Sequence, residues 1–148
     1  MSVTPQAIKE LRERTQAGMS DCKNALVEAA GDLDKAVEII LKKGLAKSAK
    51  RASAVATEGE VRAVVSADKR QATMVEVNIQ TDFAARSEGF QKFLADVVEV
   101  AAKAKAGDDL KSAPLAGKTV AEVATELTAK IGEKVDVRRW ERLEIPAG

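Results

Sequence analysis

Apolar positions change period twice along this chain. Near the amino terminus, Thr4-Pro5 supplies a cap followed by proline at a first helical position, and Ile8 and Leu11 recur at helical spacing up to Arg14. Thr15-Gln16-Ala17-Gly18 breaks that pattern. Ser20 is placed to cap a second helix whose inner line is Cys22, Ala25, Leu26 and Ala29, with Gly31 ending it. Asp32 opens a third, with Leu33, Ala36, Val37, Ile40 and Leu41 on one face and Gly44 where a left-handed stop falls. Three amphipathic helices joined by tight turns predict a small bundle over residues 1–52, marginal by size alone.

From Leu45 to Thr57, Ala, Lys, Ser and Arg dominate, the composition of a basic linker able to be helical. The period then drops to two. Val61, Ala63 and Val65 alternate with Arg62, Val64 and Ser66; after the turn Asp68-Lys69-Arg70, Thr73, Val75, Val77 and Ile79 alternate with Met74, Glu76, Asn78 and Gln80. Two β-branched runs around a short polar turn predict a hairpin. Helical spacing returns after Ser87 with Phe90, Phe93, Leu94, Val97, Val98 and Ala101. Gly107 to Gly117, carrying Pro114, reads as a loop, and Thr119-Val120-Ala121-Glu122 has the capping-box form ahead of Val123, Leu127 and Ile131. Gly132 stops that helix, and Val135 to Ile145 closes as a strand whose alternation slips between Val137 and Trp140, as at a bulge or edge. The expected class is α+β: three helices in residues 1–52, then a β-β-α-α-β core in residues 53–148 with a three-stranded antiparallel sheet. One sheet face is expected on the helices, and the other to carry an apolar patch of Val64, Met74 and Trp140.

Composition narrows the chemistry. Of 148 residues 45% are hydrophobic, and 24 Lys plus Arg face 23 Asp plus Glu, so an electrostatic partner surface has to be a local patch. There is no histidine, which removes the commonest general base and metal ligand, and the single Cys22 allows neither an internal disulfide nor a cysteine zinc site. Cys22 lies on the inward line of its helix and reads as a small buried residue. Acidic residues are scattered and no glycine-rich phosphate loop occurs, so no catalytic residue, cofactor or metal is expected. Without a long apolar run or a basic-then-apolar leader, the expectation is a cytoplasmic protein with no membrane partner. Aromatic content of 3% gives little for stacking nucleic-acid bases, and the linker lysines read as a solvated face.

The segment Glu76-Val77-Asn78-Ile79-Gln80-Thr81-Asp82-Phe83-Ala84-Ala85-Arg86 runs from a strand into polar Thr-Asp and then a large aromatic. Taken as residues alone it has two readings. In one, Thr81 caps a turn, Asp82 favours its positive end and Phe83 tucks onto the core, as most phenylalanines do. In the other, a rigid strand end presents a ring and a carboxylate side by side as a binding anchor.

Three runs carry a resemblance. Leu11-Arg12-Glu13-Arg14-Thr15-Gln16-Ala17-Gly18-Met19-Ser20-Asp21-Cys22-Lys23-Asn24-Ala25-Leu26 resembles the amino-terminal signature of the elongation factor Ts family. The run from Glu76 to Phe90, with its Thr-Asp-Phe, resembles the family's core signature, and Ile131-Gly132-Glu133-Lys134-Val135-Asp136-Val137-Arg138-Arg139-Trp140 is similar to its last helix-strand junction. The resemblance implies a guanine-nucleotide exchange factor, not an enzyme, whose partner is the GTPase elongation factor Tu. It implies a ubiquitin-associated-like helical module that docks on the GTPase through Arg12, Met19 and Lys23, with Asn78 also at the partner surface. Thr81, Asp82 and Phe83 would approach the GTPase's magnesium site, the ring acting as a wedge that releases GDP. The chain departs from the family pattern at Gln16, where glycine is usual, and at Ser20, Ile79, Ala84 and Ser87. It resembles short members with a single core copy, which implies a homodimer. Two rival classes remain: an RNA-associated protein using the linker lysines with Arg138, Arg139 and Arg142, and a peptide binder contained in residues 1–52.

Overall fold

The computed structural model describes residues 3–146, which divide between Lys50 and Arg51 into a helical unit and a mixed unit. In the helical unit, α1 (Pro5–Thr15), α2 (Met19–Glu28) and α3 (Leu33–Arg51) enclose Leu11, Cys22, Ala25, Leu26, Ala29 and Ala36. The Thr4 hydroxyl accepts the Ala7 N–H at 3.2 Å, satisfying one of the orphan donors at the start of α1. Cys22 is fully buried.

Three local expectations are corrected here. Ser20 does not cap α2: the helix starts at Met19 with Gly18 in the cap position and no side-chain cap bond. Gly44 does not stop α3, which continues as one helix to Arg51. The flanking Leu, Ala and Lys are good helix formers, and a lone interior glycine costs only about 1 kcal/mol. Leu41 is exposed, and Ile39 packs against the core instead.

The mixed unit begins with β1 (Glu58–Val65) and β2 (Gln71–Ile79), followed by the single turn α4 (Asp82–Ala85) and the long α5 (Glu88–Lys103). A ribbon of β3 (Pro114–Leu115) and β4 (Lys118–Thr119) precedes α6 (Val120–Ile131), and β5 (Asp136–Glu144) closes the unit. The sheet is antiparallel in the order β1-β2-β5, so β2 is central. Val75, Val77 and Ile79 of β2 are buried in one core with Phe90, Leu94 and Val97 of α5 and Val120 of α6. The stretch expected as plain loop holds a 3-10 turn at Leu110–Ser112 and β3, whose partner β4 follows directly after Gly117; these elements are too short to show a period.

Register settles which side chains face the helices. Val64 lies opposite Thr73, and Arg62 opposite Val75, so the inward positions of β1 are Glu60, Arg62 and Val64. Val61 and Val65 are therefore outside, the reverse of a reading from hydrophobicity. The inward charges are satisfied: the Arg62 Nη2 donates to Glu60 Oε1 at 2.8 Å and Gln91 Oε1 at 2.6 Å. Val64 and Trp140, expected on the outer face, both pack against the core, and Trp140 Nε1 donates to the Asp108 carbonyl at 3.0 Å. Met74 is on the outer face as expected, and Val61, Val65 and Leu143 are exposed beside it in place of Val64 and Trp140. The expected slip in β5 is present: Glu76 pairs with Arg139 but Val77 with Val137, leaving Arg138 as the extra residue. Gly59 is the position where β1 requires glycine, because a Cβ there would lie 2.2 Å from the Val77 carbonyl oxygen.

Candidate functional site

The core signature folds into a turn that displays two residues. β2 ends at Ile79, and Thr81 caps α4 by accepting the Ala84 N–H on its hydroxyl at 3.2 Å. A four-residue helix can bury only part of itself. Ala84 and Ala85 take the inward positions, being small enough to sit against the sheet and α5, and Asp82 and Phe83 are left outside. Phe83 is 85% exposed, and the Asp82 side chain 71%. The tucked-ring reading does not describe this structure. Burying a phenylalanine side chain is worth about 1.5–3 kcal/mol, so an exposed ring on an ordered turn forgoes most of that gain.

The turn is braced from the far end of the unit. Glu133, just after α6, accepts the Thr81 N–H at 2.9 Å and the Thr81 hydroxyl at 3.0 and 2.9 Å on its two carboxylate oxygens. The Gln80 carbonyl oxygen (Oε1) accepts the Lys134 N–H at 2.7 Å. Asp82 faces Arg86 at 3.7 Å in a solvated pair, worth ~0–1 kcal/mol, which leaves its carboxylate free to turn to another cation. Among the described residues no three carboxylate or thiol groups gather as a metal centre requires.

In the helical unit, Arg12, Met19 and Lys23 line one open hollow of about 360 Å³ together with Val3, Pro5 and Ile8. Met19 is 62% exposed. The lining of the hollow joins apolar Val3, Pro5, Ile8 and Met19 with the cations Lys9 and Arg12 of α1 and Lys23 of α2. Such a surface fits an apolar side chain flanked by acidic groups.

Other sequence-based candidates are placed elsewhere. Asn78 is 6% exposed and its amide donates to the Ala56 carbonyl at 3.2 Å, so it ties down the segment entering β1 and is not presented to a partner. Arg142 is buried, donating to the Ala101 and Ala104 carbonyls at the end of α5 and lying 5.4 Å from the Trp140 ring centre. Arg138 and Arg139 flank Glu76 at 3.9 and 2.7 Å, while Lys43 and Lys47 pair with Glu28 and Asp21. Of the cations of the RNA reading, Lys47, Arg138, Arg139 and Arg142 are thus engaged by the protein's own carbonyls and carboxylates. The bracing role of Gln80 and Glu133 carries no signal in the sequence pattern, since the two lie more than fifty residues apart.

Residues 80–148 match the family model described as Elongation factor TS. Over an alignment of 149 residues the chain is 50% identical to the elongation factor Ts of Clostridium perfringens, covering 99% of this chain and 49% of that protein. It is 48% identical over 151 residues to the elongation factor Ts of Methylococcus capsulatus, covering all of this chain and 52% of that protein. The chain spans about half the length of these curated relatives. Among the described residues no helix is long and apolar enough to cross a membrane.

Proposed function

Because this chain belongs to the elongation factor Ts family, we propose that it works in translation elongation in the cytoplasm as a guanine-nucleotide exchange factor, binding elongation factor Tu loaded with GDP and promoting GDP release. The observation that supports this most is the exposed pair Asp82 and Phe83 on a capped, braced turn. The ring and the carboxylate meet the GTPase near its magnesium and phosphate-loop site, where Phe83 wedges and Asp82 competes for the cation. The hollow around Arg12, Met19 and Lys23 docks the ubiquitin-associated-like module on the nucleotide-binding domain.

No bond is made or broken, so no catalytic base is needed. Exchange requires the factor to bind the nucleotide-free GTPase better than the GDP form, and by reciprocity GDP and the factor then weaken one another. A coupling of ~4 kcal/mol corresponds to about a thousandfold change in nucleotide affinity. Equilibrium binding tests the reading: affinity for nucleotide-free elongation factor Tu should exceed that for the GDP form by at least about 100-fold. Equal affinities contradict it. The outer sheet face with Val61, Val65, Met74 and Leu143 is covered, in our reading, by a second copy of the chain. Sedimentation showing only monomer at about 50 µM, a level that populates weak dimers, contradicts that part.

A further inference from the structure

We propose that Glu133 is a positioning residue that presets the turn displaying Asp82 and Phe83; this rests on the reading of that pair as the partner-binding element. A four-residue helix has almost no stability of its own, since nucleation fixes several dihedrals for one or two hydrogen bonds. Its population depends on what holds its ends. Thr81 supplies the cap, and Glu133 holds Thr81 twice, at the N–H and at the hydroxyl. The hydroxyl has one proton. With that proton given to the Glu133 carboxylate, a lone pair is turned toward the Ala84 N–H, so the carboxylate orients the cap as well as anchoring it.

Reach and reciprocity complete the arrangement. Gly132 turns the chain left-handed at φ 81° directly after α6, which brings Glu133 back toward the end of β2. The neighbouring bond from Lys134 N–H to Gln80 Oε1 runs the opposite way, from one backbone to the other segment's side chain. Residues 80–81 and 133–134 are therefore stitched in both directions, immediately before the displayed ring. Bonds to an ionised carboxylate are the stronger kind, so removing Glu133 loosens the turn more than removing Gln80.

The test uses the full chain with Glu133→Ala, the milder Glu133→Gln, and Phe83→Ala as reference. In the free protein, Glu133→Ala should speed hydrogen exchange of the Ala84 amide about tenfold while the melting temperature stays within a few degrees, because only local opening is affected. Glu133→Gln, which keeps one acceptor oxygen, should fall between, and it serves in its place should Glu133→Ala not fold. In GDP release from elongation factor Tu, a turn that is competent about a tenth of the time raises the half-saturating concentration about tenfold and leaves the maximal rate near wild type. Phe83→Ala should instead lower the maximal rate. An unchanged Ala84 amide overturns the positioning role, as does a loosened turn with an unchanged titration while Phe83→Ala shows its effect. If Phe83→Ala exchanges nucleotide normally, the reading of the pair fails separately, and the amide measurement alone decides whether Glu133 presets the turn.

Discussion

Replacing Phe83 by alanine should leave the melting temperature almost unchanged. The ring is 85% exposed, so of the ~200 Å² a phenylalanine can bury only about 30 Å² is at stake. At ~25 cal/mol per Å² that is about 0.75 kcal/mol. Alanine is the better helix former by roughly 0.5 kcal/mol, which offsets most of it within α4. The net change is a few tenths of a kcal/mol, or about 1–3 °C for a unit of roughly 100 residues. Phe90 is the control. It is fully buried under the sheet, and Phe90→Ala should cost ~3–5 kcal/mol and more than about 10 °C. Calorimetric melting of the two variants beside the parent makes the comparison. A Phe83→Ala protein that melts as low as Phe90→Ala refutes the presented ring, because truncating a solvated side chain cannot empty a core.

Three further outcomes follow from the fold. Gln16 sits left-handed at φ 53° where α1 ends, a conformation costing a non-glycine residue ~1–2 kcal/mol; Gln16→Gly should therefore stabilise the helical unit by about 0.5–1 kcal/mol in urea melts, and a loss of stability contradicts it. Arg142→Met keeps the buried stem but removes the donors to Ala101 and Ala104; it should cost ~2–3 kcal/mol, and a loss under about 0.5 kcal/mol would show that water replaces the guanidinium. Acid should destabilise the mixed unit. The Gln91 side-chain bond, then Arg62, holds the Glu60 carboxyl below the usual range, and the Thr119 N–H, then its hydroxyl, does so for Glu122. A depressed folded pKa means stability that is complete above the ordinary carboxylate pKa of ~4.3 and is lost as pH falls from there through the folded value; Glu60→Gln with Glu122→Gln should flatten that pH dependence, and an unaltered one contradicts the assignment.

Much of the architecture was legible because its signals are periodic or chemical. The caps at Thr4, Thr81, Ser87 and Thr119 all form as their residue types suggest. The buried line Val75, Val77 and Ile79 follows its alternation, and the slip near Trp140 is a bulge. The β1 face was misread because Val61, Ala63 and Val65 are the more hydrophobic set, whereas register with β2 and a polar network around Gln91 place Glu60 and Arg62 inside. Arg12, Met19 and Lys23, grouped by the sequence motif, do line one hollow, because the α1–α2 turn gathers them on one surface. The placement of Asn78 was not legible, since its partner Ala56 comes from the stretch entering β1, outside any periodic pattern. Glu133 is invisible for the same reason: its role exists only once β2 and the end of α6 meet.

Release of labelled GDP from elongation factor Tu, followed with rising amounts of this protein and of Phe83→Ala, tests the central claim most directly. The parent should accelerate release by at least about 100-fold at saturation, and Phe83→Ala should reach a maximal rate several-fold lower, because the proposed wedge makes its strongest contact in the complex that expels nucleotide. Release at the intrinsic rate in the presence of saturating parent protein, or identical acceleration by Phe83→Ala, contradicts the account.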